Sequence, residues 1–201
     1  MIHPLLHIPL LHLPLENFVV WENGFSDEDI KQIIALGELS EFKKGQVGGA
    51  SSKDSITDSN IRDTDIAWID PEDRSRWLYD RFGQFAAQIN HDKYQFDLSH
   101  FQPLQYGTYR GGGHYTWHYD SGPNMPEHRK LSFVLGLTDP NEYEGGELQI
   151  NINGNCETPH SIKIRRGDLI VFPSYVAHRV TPVTSGERRT LVGWACGPKF
   201  K

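Results

Sequence analysis

The segment HYTWHYD, residues 114–120, alternates polar and aromatic side chains in a way that is typical of a β-strand with two different faces. In an extended chain, residues two apart point to the same side, so His118 and Asp120 would share one face, opposite the neighbouring aromatic residues. An imidazole and a carboxylate that converge from one strand are suitable ligands for a metal ion. The segment therefore predicts a strand that supplies two metal ligands, and the rest of the chain must supply a third.

Short β runs separated by turn residues surround this segment from residue 94 onward. They are YQFDLSHF (94–101), LQYGTYR (104–110), KLSFVLGL (130–137), GELQINI (146–152), SIKIRR (161–166), DLIVF (168–172), AHRVTPV (177–183) and RTLVGWAC (189–196). Short strands in such number, without helices between them, favour an antiparallel sandwich of the jelly-roll type. The predicted fold class is mainly β, with a jelly-roll (double-stranded β-helix) core packed on helices that precede it.

Two helices are predicted before the strands, and they would pack on the outer face of one sheet. Ser26 and Asp29 form the pattern of a capping box that opens the first helix. Asp70-Pro71 is expected to start the second, which continues with apolar residues at helical spacing. The polar segment between them, at residues 43–66, is longer than an ordinary connection, so it is either a lid over a site or a passive insertion.

The length and charge of the chain restrict what it can be. Its 201 residues fit one domain, divided into an N-terminal strap (1–25), a helical support with the lid (26–93) and the jelly-roll core (94–196). The net charge of −6 and the lack of basic runs disfavour binding to nucleic acid through phosphates. Its two cysteines fit neither a zinc pattern nor a disulfide framework, which favours a reducing, cytoplasmic location.

The N-terminal stretch MIHPLLHIPLLHLPLE is apolar but is interrupted by three prolines. It therefore predicts neither a membrane helix nor a signal peptide, and no membrane partner is expected. Its histidines, His3, His7 and His12, leave two interpretations open. A metal site is one, and an extended strap or edge strand laid on the domain is the one that we favour.

A third metal ligand is available further along the chain. His178 lies near the start of a predicted strand, and Arg188 follows ten residues later, across a predicted turn at 184–186, on the neighbouring strand. Two histidines and one carboxylate leave three positions of an octahedral metal open, which is the facial triad of non-haem Fe(II) oxygenases. The open positions suit a chelating co-substrate and dioxygen. The Arg188 guanidinium is a permanently charged fork suited to a carboxylate.

From about residue 100 to residue 196, the chain resembles the Fe(II)/2-oxoglutarate-dependent oxygenases. Within them it is similar to the prolyl 4-hydroxylase-like group, which includes the bacterial PKHD-type hydroxylases. The motifs that carry this resemblance are YRGGGHYTWHYD (109–120), RKLS (129–132), LTDPNEYEGGEL (137–148) and GDLIVFPSYVAHRVTPVTSGERR (167–189). In addition, SSKDSITDSNIRDTDIAWI (51–69) resembles the mobile loop and following strand of prolyl hydroxylases.

The resemblance implies a role for each matching residue. His118, Asp120 and His178 would bind iron and form the catalytic centre. Arg188 would hold the distal carboxylate of 2-oxoglutarate, with Tyr109 as its helper. Tyr115, Arg129 and Trp194 fall where the family lines its substrate groove or its co-substrate pocket, and they are assigned here to the substrate together with Arg62. By themselves, the aromatic residues of this set could equally be core packing, and Arg129 could be an ordinary surface charge. Arg189 is expected to point to the opposite face from Arg188.

The resemblance also implies an enzyme: a dioxygenase that uses Fe(II), 2-oxoglutarate and O₂, with ascorbate as a candidate reductant, and releases succinate and CO₂. Its expected substrate is a peptide or protein, hydroxylated at a prolyl residue, because a lid rich in glycine and serine can close over an extended backbone. The alternative is a 2-oxoglutarate oxygenase that acts on a free amino acid or another small molecule. A metal-binding module without catalysis is disfavoured, because it would not need Arg188.

Overall fold

A computed structural model of the chain describes residues 16–47, 55–122 and 128–199. Its strands, in chain order, are β1 (Val19–Trp21), β2 (Lys43–Lys44), β3 (Arg62–Asp63), β4 (Asp65–Ile69), β5 (His100–Phe101), β6 (Leu104–Arg110), β7 (His114–His118), β8 (Arg129–Gly136), β9 (Tyr143–Gly145), β10 (Leu148–Ile150), β11 (His160–Ile162), β12 (Leu169–Pro173), β13 (His178–Val180) and β14 (Val183–Cys196). The helices are α1 (Asp27–Glu38) and α2 (Arg76–Ile89).

The strands form two antiparallel sheets that enclose the candidate site. The larger runs β1-β12-β8-β14-β6-β4-β2, with β5 and β9 also paired to β14, and the smaller runs β11-β10-β13-β7-β3. This confirms the predicted mainly β fold with a double-stranded β-helix core and flanking helices. Neither helix in the described part of the chain is long and apolar enough to cross a membrane.

The two helices cover the outer face of the larger sheet. Ser26 caps α1 as predicted, since its side chain accepts from the Asp29 N–H while the Asp29 carboxylate accepts from the Ser26 N–H. The start of α2 was predicted too early, because the helix begins at Arg76 rather than at Asp70-Pro71. The reason is a preceding turn, in which the Ser75 hydroxyl donates to the carbonyl oxygen of Asp70 at 2.5 Å.

The first predicted β run, residues 94–101, is mostly not a strand. Tyr94 ends a π-helical turn that continues α2, and Gln95 has a left-handed backbone with φ of 55°. The Asn90 side chain then fixes the chain by accepting from the Phe96 N–H and donating to the Phe96 carbonyl oxygen, both at 2.8 Å. Only β5 remains extended, because these local hydrogen bonds compete with strand pairing.

The last strand is longer than predicted. Residues 184–186, which were expected to form a turn, lie inside β14, where Gly186 has φ of +73° and the pairing with β9 shifts register. Arg188 therefore does not lie on the strand beside that of His178. It lies on the larger sheet, whereas β13 belongs to the smaller sheet across the interior.

Parts of two predicted segments fall outside the described residues. These are residues 1–15, with His3, His7 and His12, and residues 48–54 in the middle of the predicted lid. The described end of the strap contains β1, an edge strand paired with β12. The two arms of the lid segment reach different sheets, since β2 pairs with β4 and β3 pairs with β7.

Candidate active site

Three side chains with metal-binding atoms meet between the sheets. His118, the last residue of β7, pairs in register with His178, the first residue of β13. Asp120 follows two residues after β7 ends, and its N–H donates to the Ser174 carbonyl oxygen at 3.0 Å. The Asp120 carboxylate oxygens lie 3.8 Å from His118 Nε2 and 3.4 Å from His178 Nε2. One ligand atom from each of the three residues lies within 4.8 Å of the others.

The two imidazoles are oriented by backbone carbonyls. His118 Nδ1 lies 2.8 Å from the Thr116 carbonyl oxygen, and His178 Nδ1 lies 3.0 Å from the Val176 carbonyl oxygen. A carbonyl oxygen can only accept, so each Nδ1 carries the proton. In a neutral imidazole with this tautomer, the lone pair is on Nε2, the atom that faces Asp120, which is the usual arrangement for a histidine that binds a metal.

Burial and neighbouring charge favour the protonation states of His118 and Asp120 that a metal needs. Burial, together with the nearby His178, lowers the pKa of His118 to about 3, so its imidazole is neutral at ordinary pH. Burial acts to raise the pKa of Asp120, but the charge that the two histidines carry when protonated, Arg129 and a hydrogen bond outweigh it and hold that pKa below its usual value. The hydrogen bond comes from the Ser132 hydroxyl, which donates to Asp120 Oδ2 at 2.7 Å.

Arg188 projects from β14 into the same cavity, whose volume is about 360 Å³. The residue is only 2% exposed, and neither terminal nitrogen of its guanidinium has a hydrogen-bond partner among the described residues. Its guanidinium carbon lies 5.0 Å from the centre of the Tyr109 ring, on the paired strand β6. A Cβ at Gly146 would come within 2.8 Å of Arg188 Cδ, so the lack of a side chain there gives the arginine its space.

Arg189 lies on the other side of β14, as its position in the strand predicts. Its side chain pairs with Glu187 and lies 3.7 Å from a carboxylate oxygen of Glu38 on α1. The two adjacent arginines thus have opposite surroundings. Arg188 lies in the cavity with no acidic partner in the described part of the chain, and Arg189 lies on the outer side with two.

The remaining predicted site residues form the walls of the cavity. The Tyr115 ring stacks on the His118 ring with centroids 3.5 Å apart, and the Arg62 guanidinium lies over the Tyr115 ring. The Arg129 guanidinium carbon lies 3.8 Å from the centre of the Trp194 ring. The structure therefore brings all nine residues named from the sequence to one cavity: His118, Asp120, His178, Arg188, Tyr109, Tyr115, Arg129, Trp194 and Arg62.

Several residues of the site were not assigned from the sequence. Ser132 supports Asp120, and Gln102 accepts from Arg129 Nε at 2.8 Å. Trp68, on β4, lies 6.2 Å from Trp194 between ring centroids and also lines the cavity. The motif RKLS contained Ser132, but its role depends on a contact between a strand and a turn, which spacing alone does not reveal.

The donor set and the cavity fit Fe(II) and 2-oxoglutarate. Two imidazole nitrogens and one carboxylate are the ligands of the facial triad. A buried guanidinium without a partner is costly, so the Arg188 site favours a ligand that brings a carboxylate. The cavity thus offers one place for a metal and, on the facing sheet, one for an anion.

Known proteins share this sequence pattern. Residues 101–196 match the family model of the 2OG-Fe(II) oxygenase superfamily. A PKHD-type hydroxylase of Idiomarina loihiensis is 36% identical over 178 residues, which cover 86% of this chain and 74% of that protein. A PKHD-type hydroxylase of Teredinibacter turnerae is 40% identical over 97 residues, 46% of this chain. The alignment with the latter spans only 42% of that relative's length.

Solved structures share the fold. A prolyl-4-hydroxylase of Pseudomonas putida superimposes with a TM-score of 0.71 at 23% identity, over 93% of this chain and 96% of that one. A prolyl hydroxylase of Trichoplax adhaerens, in complex with a peptide fragment of the hypoxia inducible factor oxygen degradation domain, gives a TM-score of 0.72 at 19% identity. That superposition covers 90% of this chain and 83% of that one.

Proposed function

The chain belongs to the 2OG-Fe(II) oxygenase superfamily, with PKHD-type hydroxylases as its relatives, and on that premise we propose that it hydroxylates a prolyl residue in a peptide or protein. The reaction would use Fe(II), 2-oxoglutarate and O₂. One oxygen atom would enter the substrate and the other would enter succinate, with release of CO₂.

The observation that carries this proposal is the position of Arg188. Its guanidinium is buried and has no acidic partner among the described residues, in the cavity that also contains His118, Asp120 and His178. A permanently charged group is costly to bury unless an anion accompanies it. A dicarboxylate that reaches from the metal ligands to the opposite sheet offsets that cost. Tyr109, beside the guanidinium, is the proposed helper.

The chain's residues would hold and orient the reacting groups. When bound, iron with 2-oxoglutarate and O₂ supplies the oxidising power for hydroxylation. His118 and His178 would present their Nε2 atoms to the metal, because each Nδ1 lies within hydrogen-bonding distance of a backbone carbonyl oxygen. Ser132 and the nearby Arg129 keep Asp120 ionised and fix its carboxylate. The Tyr115 phenol stays protonated, because burial raises its pKa to about 12.

A peptide substrate is supported by the shape of the cavity mouth. Its rim includes Lys43, Lys44 and Ser55 from the two arms of the predicted lid, and Trp68 and Tyr119 from the strands and turns around it. Tyr119 is 61% exposed and Trp68 is 38% exposed, so aromatic surface continues from the cavity to the outside. An extended chain could lie along this surface while one residue enters the cavity.

The decisive experiment is a substrate screen. The protein, with Fe(II), 2-oxoglutarate, ascorbate and O₂, is incubated with proline-containing peptides and, separately, with free proline. The proposal expects a mass gain of one oxygen on the prolyl residue of a peptide, matched by an equal amount of succinate. Oxygen gain on free proline, with none on any peptide, would replace the prolyl-peptide proposal with the small-molecule alternative. Absence of succinate under all conditions would contradict the oxygenase itself.

A further inference from the structure

The cavity contains a second buried guanidinium that lacks an acidic partner in the described part of the chain. The cationic side chains that line the cavity are Lys43, Lys44, Arg62, Arg129 and Arg188, whereas its lining has one carboxylate, Asp120. Both lysines are neutralised by surface acids, Lys43 by Glu41 and Lys44 by two aspartates. Arg129 lies 3.9 Å from Asp120.

Among the described residues, Arg62 is hydrogen-bonded to neutral groups only. Its Nη2 donates to the Gln105 side-chain oxygen at 2.6 Å, and its Nη1 donates to the Gln46 carbonyl oxygen at 3.3 Å. Its Nε is buried without a partner, and the residue as a whole is 9% exposed. The lack of a Cβ at Gly45 makes room for it, because a side chain there would come within 2.5 Å of Nε. These contacts fix the guanidinium but leave its charge uncompensated.

The position of Arg62 places this charge next to the proposed metal site. The guanidinium carbon lies 4.7 Å from the centre of the Tyr115 ring, and that ring stacks directly on the imidazole of His118. Arg188 lies on the larger sheet and faces the same cavity. If 2-oxoglutarate places one carboxylate at the metal and the other at Arg188, no anion of the co-substrate remains for Arg62.

We propose that Arg62 binds a carboxylate of the substrate. This inference rests on the proposed function and narrows it, because the hydroxylated residue would have an acidic group beside it. The carboxylate can come from two sources. One is the side chain of an aspartate or glutamate adjacent to the target in the sequence. The other is the α-carboxylate of a target residue that ends a peptide.

The test measures binding rather than turnover. The protein is loaded with Mn(II) and 2-oxoglutarate without oxygen, and peptide dissociation constants are measured by calorimetry. One peptide pair differs only in glutamate against glutamine beside the proline. A second pair ends in proline as the free acid or as the amide. A charge-assisted hydrogen bond predicts that the acidic member of at least one pair binds about 10- to 100-fold more tightly. The pair that shows the preference identifies the source.

Variants of Arg62 distinguish binding of the substrate carboxylate from a purely structural role. In Arg62→Gln the preference for the carboxylate should fall to about onefold, whereas Arg62→Lys, which keeps the charge, should retain part of it. Arg81→Gln is the matched control. Arg81 also lies over aromatic rings and donates to a backbone carbonyl oxygen, but on the outer side by α2. Its loss should leave the preference intact.

Two results would overturn the inference. One is an equal weakening of both members of each pair in Arg62→Gln, which would mean that Arg62 is only structural. The other is an undiminished preference for the acidic member in Arg62→Gln. Hydroxylation in air is measured separately on the same peptides. Its absence would contradict the proposed reaction, while the binding comparison would still decide the role of Arg62.

Discussion

The two faces of the larger sheet differ in composition and in how many of their polar groups have hydrogen-bond partners. On the outer face, apolar residues of β6, β8 and β14 pack against α1 and α2 in one continuous core. On the inner face, the same strands line the cavity with polar and aromatic side chains, some of whose donors have no partner in the described residues. One sheet therefore stabilises the fold with one side and prepares a binding site with the other.

β14 shows this division residue by residue. Leu191 and Ala195 belong to the core beneath the helices. The alternate positions Arg188, Thr190, Val192 and Trp194 line the cavity. Side chains alternate between the two faces of a strand, so these odd-numbered residues of β14 pack in the core and these even-numbered residues line the cavity. Substitutions on one side should therefore change stability, and substitutions on the other should change binding.

The largest effect is expected on the inner side, from loss of a metal ligand. His178→Ala removes one of three proposed protein ligands and should abolish succinate formation, while the circular dichroism of the protein stays that of the wild type. Metal binding is measured in parallel by titration with Fe(II) under nitrogen. Wild-type succinate production at limiting iron would show that His178 is not a ligand.

On the outer side, Phe82→Ala should chiefly affect folding. Phe82 is fully buried in α2, and its ring contacts those of Phe25, Phe101 and Phe133. Truncation of such a residue costs about 3–5 kcal/mol in the free energy of unfolding, which urea titration measures. The affinity of the folded protein for 2-oxoglutarate should not change. A loss of affinity in protein that is still folded would mean that the two faces are coupled.

The adjacent arginines test the division within one strand. Arg188→Ala should weaken 2-oxoglutarate binding by roughly 30- to several-thousand-fold, because a charge pair buried from water is worth on the order of 2–5 kcal/mol. Arg189→Ala removes a side chain whose acidic partners lie on the outer side and should change that affinity little. Calorimetry with Mn(II)-loaded protein gives both constants. Similar losses in the two variants would contradict the proposed role of Arg188.

The smallest effect is expected on metal affinity, from the loss of one serine hydroxyl. Ser132→Ala removes the hydroxyl that donates to Asp120, and loss of such a support typically lowers metal affinity by about 10- to 100-fold. Ser26→Ala, the matched control, removes the cap of α1 and should cost about 1 kcal/mol of stability without changing metal affinity. Competition with a metal-binding dye compares them. Equal affinities for both variants would mean that Ser132 does not tune the site.

The inner face was predicted partly from local spacing and partly from the resemblance to the oxygenases. His118 and Asp120 stand two apart, and the single positions of His178 and Arg188 follow from motifs with fixed spacing. The alternating pattern also located most of the strands. The capping box at Ser26 was recognised because both of its hydrogen bonds join residues three apart.

The errors came from contacts that spacing does not contain. Residues 94–101 alternate like a strand, yet the side chain of Asn90 holds Phe96 and ends the extended pattern. Gly186 was interpreted as part of a turn, but β14 continues through it despite its positive φ, because it pairs with β9 beyond a shift in register. Ser132 reaches Asp120 only because β8 passes the turn after β7, which no local pattern reveals.

The register pair of His118 and His178 has a thermodynamic consequence. The two residues are far apart in sequence but face each other where β7 pairs with β13 in the smaller sheet. A metal held by both would bind only the folded arrangement, and at 100 times its dissociation constant it would add about 2.7 kcal/mol to stability. The ion would act as a cross-link, so amide hydrogens in these two strands should exchange with solvent more slowly when iron is plentiful. The smaller sheet would thus become less prone to local opening as the iron concentration rises.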